Sequence, residues 1–356
     1  MTTGSAKAST ASAVSVSAIV VVHGSPAATV DACVASLLAS TGVDMHLVLV
    51  DNASPDRGAA CAAWITHPQV TFVTSAANDG FAAGVNQGLA KTRVGDLLVL
   101  LNDDATIAAD ALARCASVLV ADPGLIAVAP RVMLAEEPDL IDSLGVVVRP
   151  NGEAFNAYRG QTWTEQLTNG ADILGPCFGA AIFRPLAFDS SGGVGPIDER
   201  YRLYYEDIDW VLRSRRLGWR SAVCTDAVAW HQHGASARLL GEAARYQLVQ
   251  RNLLLCAAKN FTTRRALTVW ATRLAVHAKC TPGGPYRAER WRSVRGAFGG
   301  LASVFKARRA LARQCRPLAT TAERELFHYA AGMSPNFNVI TTTYYVSDRS
   351  DSSLDR

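Results

Sequence analysis

Five short apolar runs, Ile19–Val22, Leu47–Val50, Val70–Val73, Leu97–Leu101 and Ile126–Val128, recur along the first part of the chain with Ala-rich amphipathic stretches between them. This alternation limits the fold more than any other feature. Runs of three to five such residues fit the centre of a strand buried on both faces, and the stretches at roughly 28–40, 57–66, 81–92 and 107–120 have the spacing of helices. Strand, helix, strand, helix with short connections predicts an α/β fold: a mainly parallel, Rossmann-like sheet with helices on both faces. In such sheets, ligands bind beyond the carboxyl ends of the strands.

At 356 residues the chain has room for one large α/β domain and an appendage. None of its apolar runs approaches the ~18–20 residues that cross a bilayer, so no transmembrane helix is expected. Residues 1–16 are rich in Ser, Thr and Ala and read as a flexible leader rather than an export signal. The eight cysteines include no C-x-x-C pair, which argues against a zinc ribbon or a disulfide scaffold and for a reducing cytoplasm. The net charge of +4 is unevenly spread: residues 261–316 hold thirteen Lys or Arg against one acid, Glu289. The remainder is therefore acidic, at about −8 by the same count. The composition shift near 260 divides the chain into a leader (1–16), a catalytic domain (17–258), a basic helical extension (259–333) and a polar tail (334–356).

Three polar clusters fall at predicted strand ends. In Val50-Asp51-Asn52-Ala53-Ser54, Asp51 can accept hydrogen bonds from a base or ribose while Asn52 and Ser54 shape a turn; a ligand-free Asx turn explains it equally. The stretch from Asn78 to Gly88 has glycines where backbone must approach a ligand at a helix start, with Asn78, Gly80, Phe81 and Asn86 as candidate donor contacts. A glycine-tolerant helix cap is the alternative. In Leu100-Leu101-Asn102-Asp103-Asp104, adjacent carboxylates repel unless a cation compensates them. Mg²⁺ or Mn²⁺ would do so, held by one or two carboxylates plus substrate phosphates, which suits a nucleoside diphosphate; a solvated loop is the alternative.

Further along, Tyr204-Tyr205-Glu206-Asp207-Ile208-Asp209-Trp210 sets three acids among aromatics. If helical, it puts Glu206 and Asp209 on one face with Arg213 one turn on, leaving Asp207 to face substrate as a general base beside Glu206. A surface helix with an ion pair reads the same residues without chemistry. His231, closing the apolar run Ala222–Trp230, is either a structural histidine or a neutral nitrogen ligand for the same cation.

Taken in order, these clusters resemble the family 2 inverting glycosyltransferases, in particular their bacterial rhamnosyltransferase-like branch. The resemblance covers roughly residues 17–258. It rests on the opening strand Ala18–Val22, V-D-N-A-S at 50–54, N-x-G-F-A-x-G-x-N-x-G at 78–88 and L-N-D-D at 101–104. G-P-I-D-E-R-Y at 195–201 follows, then Y-x-E-D-x-D-W at 204–210, Arg213, Gly218-Trp219, H-x-x-G-A-S at 231–236 and Arg251-Asn252. It implies a GT-A fold, Asp51 on the nucleoside, the turn of Asn102, Asp103 and Asp104 holding a divalent cation on the diphosphate, His231 completing the metal shell, and Asp207 as catalytic base of a single inverting displacement. It also implies a nucleoside-diphosphate sugar donor, dTDP-L-rhamnose before a UDP-sugar, and a lipid-linked or cell-surface glycan acceptor, with a soluble natural product as the alternative. The chain departs from the pattern in spacing, with Gly179-Ala180 to Arg184 a residue short and Phe188 to Gly195 expanded, and in residue type. Asp103 replaces a proline, Arg202 replaces an aromatic, and His23-Gly24 replaces an aromatic-Asn pair, making His23 a changed contact to base or ribose.

The basic stretch 261–316 has four readings: a peripheral contact with an anionic membrane through Trp270, Trp291 and Phe305, a helical cap, a dimer contact, or a groove for an anionic soluble acceptor. The first would place the protein on the inner face of the plasma membrane. Nucleic acid is set aside, because no recognition motif accompanies the charge. A sugar-nucleotide pyrophosphorylase is disfavoured by the lack of a glycine-rich, basic triphosphate loop. A non-catalytic sugar-nucleotide-binding protein is disfavoured by the presence of Asp104, Asp207 and His231.

Overall fold

The computed structural model describes residues 13–232, 240–279, 286–314, 320–331 and 333. Its first half runs β1 (Val14–Val22), α1 (Ala27–Leu38), β2 (Val43–Asp51), β3 (Val70–Thr74), α2 (Phe81–Leu89), β4 (Leu97–Leu101), β5 (Ala105–Ile107), α3 (Ala111–Ala121) and β6 (Leu125–Leu134). Short strands β7 (Ile141–Ser143), β8 (Val146–Val148), β9 (Ala154–Asn156), β10 (Asp172–Ile173) and β11 (Ala180–Phe183) follow, then α4 (Glu206–Arg216) and β12 (Arg220–His231). The C-terminal helices are α5 (Glu242–Asn260), α6 (Thr263–Lys279), α7 (Arg287–Gln314) and α8 (Thr320–His328).

The main sheet has the order β10-β12-β6-β11-β4-β1-β2-β3. Strands β3, β2, β1 and β4 are parallel, as are β6 and β12, while β11 runs antiparallel between β4 and β6. Both faces are covered, which is why the strands read as continuous apolar runs: along β1, Ala18 and Val20 enter the core under α1 and α3, and Ile19 and Val21 enter the core under α2, α4 and α5. The expected α/β architecture and basic helical extension are present.

Three boundaries differ from the expectation. Strand β1 begins at Val14, pairing with Val43, so the sheet recruits residues assigned to the leader. The stretch 57–66 holds only a 3-10 turn, Ala59–Cys61. Arg57 and Gly58 have φ of 57° and 79°, and Asp56 accepts hydrogen bonds from Gly58 N and Ala60 N; this local chemistry competes with a helix. The domain boundary at 258 falls inside α5, which runs unbroken to Asn260. The predicted break at 282–285 and the tail from 334 lie outside the described residues.

Helix α7 lies along α5 with Ser293, Val294, Ala297 and Val304 buried. A Cβ at Gly300 would stand 3.0 Å from Leu255 Cδ2, so glycine lets the two helices approach. Arg308 Nη1 donates to the carbonyls of Ala258 at 2.7 Å and Phe261 at 2.6 Å, satisfying groups left open at the end of α5. No described helix is long and apolar enough to cross a membrane.

Candidate functional site

Strands β1, β2 and β4 end at the same rim, and the residues just beyond them interlock. The His23 ring Nδ1 donates to Asn52 O at 3.0 Å, which fixes its tautomer. Asp51 is buried and accepts from Ser54 N at 3.0 Å. Asn52 Nδ2 donates to Asn78 Oδ1 at 3.1 Å and Gly80 O at 3.2 Å, stitching the β2 and β3 exits together. Its Oδ1 is buried without a partner. Gly80 has φ of 97°, and a Cβ there would meet Arg202 O at 2.5 Å, so no side chain fits. Arg202 O accepts from Ala82 N at 3.1 Å, and Arg202 Nη2 donates to Asn78 O at 2.7 Å. The unusual arginine thus ties the loop before α4 to the first turn of α2. Phe81 opens α2, half-buried. Asn86 is engaged by the chain itself: its Nδ2 donates to Ile197 O at 2.8 Å and Glu199 Oε1 at 2.9 Å, and its Oδ1 accepts from Ile197 N at 3.1 Å.

At the end of β4 the acidic pair splits. Asp103 turns towards α1, accepting from Ser25 Oγ at 2.7 Å, and burial followed by the neighbouring Asp104 charge pushes its carboxyl up to about 7. Asp104 turns the other way. Its Oδ1 lies 3.0 Å from His231 Nε2 at the end of β12, with Asn102 Nδ2 3.3 Å from the same nitrogen. His231 Nδ1 meets Asp142 Oδ2 at 2.9 Å, and Arg159 Nη1 donates to Asp142 Oδ1 at 2.6 Å. Burial alone would lower the imidazole pKa; the Asp104 and Asp142 carboxylates overcome it and raise it to about 9. The donor set fits a divalent cation in place of the Nε2 proton: a carboxylate oxygen and an imidazole nitrogen converge, and a buried carboxylate orients the ring from behind. Among the described residues no group of three or more His, Cys, Asp or Glu could hold a metal ion, so the described residues supply only part of a shell that phosphate and water would complete.

The third element is the strained approach to α4. Arg202, Tyr204 and Tyr205 have φ of 62°, 66° and 72°, conformations that cost energy for residues with side chains. Asn252 on α5 holds this loop: its Nδ2 reaches Tyr201 O at 2.8 Å, Leu203 O at 2.9 Å and Tyr204 O at 2.7 Å, while Arg251 Nη1 donates to Arg200 O at 2.9 Å. Tyr205 Oη donates to Gly152 O at 3.0 Å. The loop delivers Glu206 and Asp207 into the first turn of α4, where the helix dipole favours negative charge. Glu206 is buried with Oε2 unpartnered, and burial, then the Asp207 charge, pushes it up to about 8. Asp207 is half-buried; desolvation pushes it up to about 6 although Ile208 N donates to its Oδ1 at 2.7 Å.

Asp209 faces inward, as the helical period predicts. It is buried and receives Arg213 Nε at 2.9 Å, Lys259 Nζ at 2.7 Å, Asn260 Nδ2 at 2.8 Å and Tyr201 Oη at 3.2 Å. Burial would raise its pKa; the Lys259 and Arg213 charges outweigh this and lower it. Lys259 also bridges to Asp198 Oδ2 at 2.6 Å.

Asp142, Arg159, Ser25, Lys259 and Asn260 escaped the sequence reading. For Asp142 a signal existed, an acid interrupting the apolar run Leu140-Ile141-Asp142-Ser143-Leu144. Lys259 and Asn260 were hidden by their assignment to the extension.

Residues 17–183 match the model of glycosyl transferase family 2. Over 245 residues the chain is 29% identical to the N-acetylglucosaminyl-diphospho-decaprenol L-rhamnosyltransferase of Mycobacterium tuberculosis (strain CDC 1551 / Oshkosh), covering 61% of this chain and 76% of that protein. The same figures hold for the enzyme of strain ATCC 25618 / H37Rv. Among solved structures, GalNAc-T7 with UDP, GalNAc and Mn²⁺ is similar in fold, with a TM-score of 0.60 at 13% identity over 82% of this chain. The chain spans 56% of the length of that structure.

Proposed function

We propose, from the match of residues 17–183 to the model of glycosyl transferase family 2, that this chain moves a sugar from a nucleoside-diphosphate sugar to an acceptor hydroxyl with inversion at the anomeric carbon. One observation carries the reading: a carboxylate and an imidazole 3.0 Å apart, Asp104 and His231, and a desolvated carboxylate, Asp207, just beyond the Asn252-held loop. His23, Asp51, Asn52 and the Asn78-Asp79-Gly80-Phe81 turn frame the nucleotide. Asp104 and His231 hold Mg²⁺ or Mn²⁺. That cation supplies electrostatic stabilisation of the departing diphosphate.

Asp207 accepts the acceptor's hydroxyl proton as the oxygen attacks from the face opposite the nucleotide. Its raised pKa brings it nearer to neutrality while leaving it ionised at pH 7, which suits a general base. Glu206, protonated beside it, adds no second charge to the site. The donor is dTDP-L-rhamnose in preference to a UDP-sugar, and the acceptor is a lipid-linked saccharide, a reading supported by the relative whose name specifies a diphospho-decaprenol acceptor and L-rhamnose. Calorimetry with dTDP and UDP, in Mn²⁺ or Mg²⁺ and then with chelator, tests this on the wild type and Asp104→Ala. Metal-dependent binding of one nucleotide that weakens in the variant is expected. Folded protein that binds neither nucleotide would refute the reading.

A further inference from the structure

The described residues expose three large aromatic side chains, Trp291, Phe298 and Phe305, and all three lie on α7. They are spaced by seven residues, two helical turns less about 20°, so they form one stripe about 21 Å long. Arg295, Ala302 and Arg309 fall between them on the same face, and Arg292, Lys306 and Arg313 are exposed beside it. The opposite face of α7 is the one buried against α5, so the stripe is not left over from incomplete packing. Trp270, expected to be an interfacial anchor, is half-buried instead. Its Nε1 donates to Leu254 O at 3.0 Å and its ring meets that of Phe298 at 4.9 Å, so Phe298 takes the outer position.

We propose that α7 docks in the plane of an anionic lipid surface, inserting Trp291, Phe298 and Phe305 while Arg295, Lys306, Arg309 and Arg313 pair with headgroups. Charge complementarity selects the occupant. The sole acid on α7, Glu289, is already paired with Arg292 at 2.8 Å, so nothing on the helix offsets the remaining cations. A second copy meeting this stripe face to face would bring like charges together, whereas a bilayer with acidic headgroups offers both the countercharge and an apolar layer at the depth of the rings. Not every basic residue of the extension belongs to this surface. Arg273 pairs with Glu153 and Arg308 closes α5, so the docking charge is smaller than the sequence count.

The test is flotation of the full chain with phosphatidylcholine vesicles, with and without phosphatidylglycerol, alongside tryptophan fluorescence, since Trp291 is the one exposed tryptophan among the described residues. At least about tenfold stronger partition onto the anionic vesicles is expected, with a blue shift lost in Trp291→Ser. The triple variant Trp291→Ser, Phe298→Ser, Phe305→Ser should lose about tenfold in partition or more. Arg295→Gln with Arg309→Gln should lose about 25-fold, at about fivefold per charge removed. No preference for anionic vesicles, or unchanged partition of the triple variant, would overturn the proposal. So would a lipid-free dimer, seen by sedimentation, that the triple variant dissolves. Nucleotide binding, measured without lipid, should be unchanged in every stripe variant. Its absence from a wild type that still floats would count against the glycosyltransferase reading alone.

Discussion

Asp103-Asp104 and Glu206-Asp207 are both adjacent acid pairs at the rim of the sheet, yet the protein holds them by different means. The first pair forms the turn between β4 and β5, and its side chains leave that turn opposite ways, one to the Ser25 hydroxyl and one to an imidazole braced by Asp142. The second pair begins a helix, where a strained loop and backbone amides position it, and no cation is bonded to either carboxylate among the described contacts. A carboxylate aimed at a nitrogen donor is ready to share a cation. One that is desolvated without a countercharge is ready to take a proton. The difference lies in what surrounds each dipeptide.

The largest effect should come from removing the proton acceptor. Asp207→Asn is expected to lower transfer about 10²- to 10⁴-fold with nucleotide binding within about twofold. Near-normal turnover would break the contrast between the pairs. A matched pair of supports should then separate them. Asp142→Asn is expected to weaken metal-dependent nucleotide binding about 10- to 100-fold, since it loosens the ring rather than a ligand. Asn252→Ala should spare that binding, lower kcat, and cost about 1–3 kcal/mol of stability by freeing the carbonyls of the α4 approach. If both variants failed in the same step, the two sites would not be independently held.

The smallest effect concerns pH. Asp207 must be ionised to act, so activity should rise as pH increases through about 6. Glu206 is protonated in the folded chain up to about 8 but ionises at ordinary carboxyl pH when unfolded. The folded state therefore binds the extra proton, and stability falls as pH rises from the ordinary carboxyl range towards 8. Glu206→Gln should flatten that slope, gaining about 1 kcal/mol or more at pH 8 relative to pH 5 in thermal melts, and leave the activity limb near 6 in place.

Most of the parallel sheet was legible because strands buried on both faces cannot hide their apolar runs. The opposite orientations of Asp207 and Asp209 were likewise readable from the helical period and the Arg213 partner one turn on. The stretch 57–66 was not, because its Ala-rich composition favours helix while Asp56 and two positive-φ residues bind the backbone into turns. Asp142 was missed for a different reason. Its partner His231 lies 89 residues away, and nothing local distinguishes a structural acid from an orienting one. The boundary at 258 followed the change in charge, but the folding unit follows contacts.

That last difference bears on how such an enzyme can diversify. Lys259 and Asn260 are the final residues of α5, and both end on Asp209 in the helix that carries Asp207. Exchanging the basic extension as a cassette at the point where composition changes would leave a buried aspartate without its lysine and amide. The outer faces of α6 and α7 can therefore change more readily than the whole segment can be swapped for one from a relative.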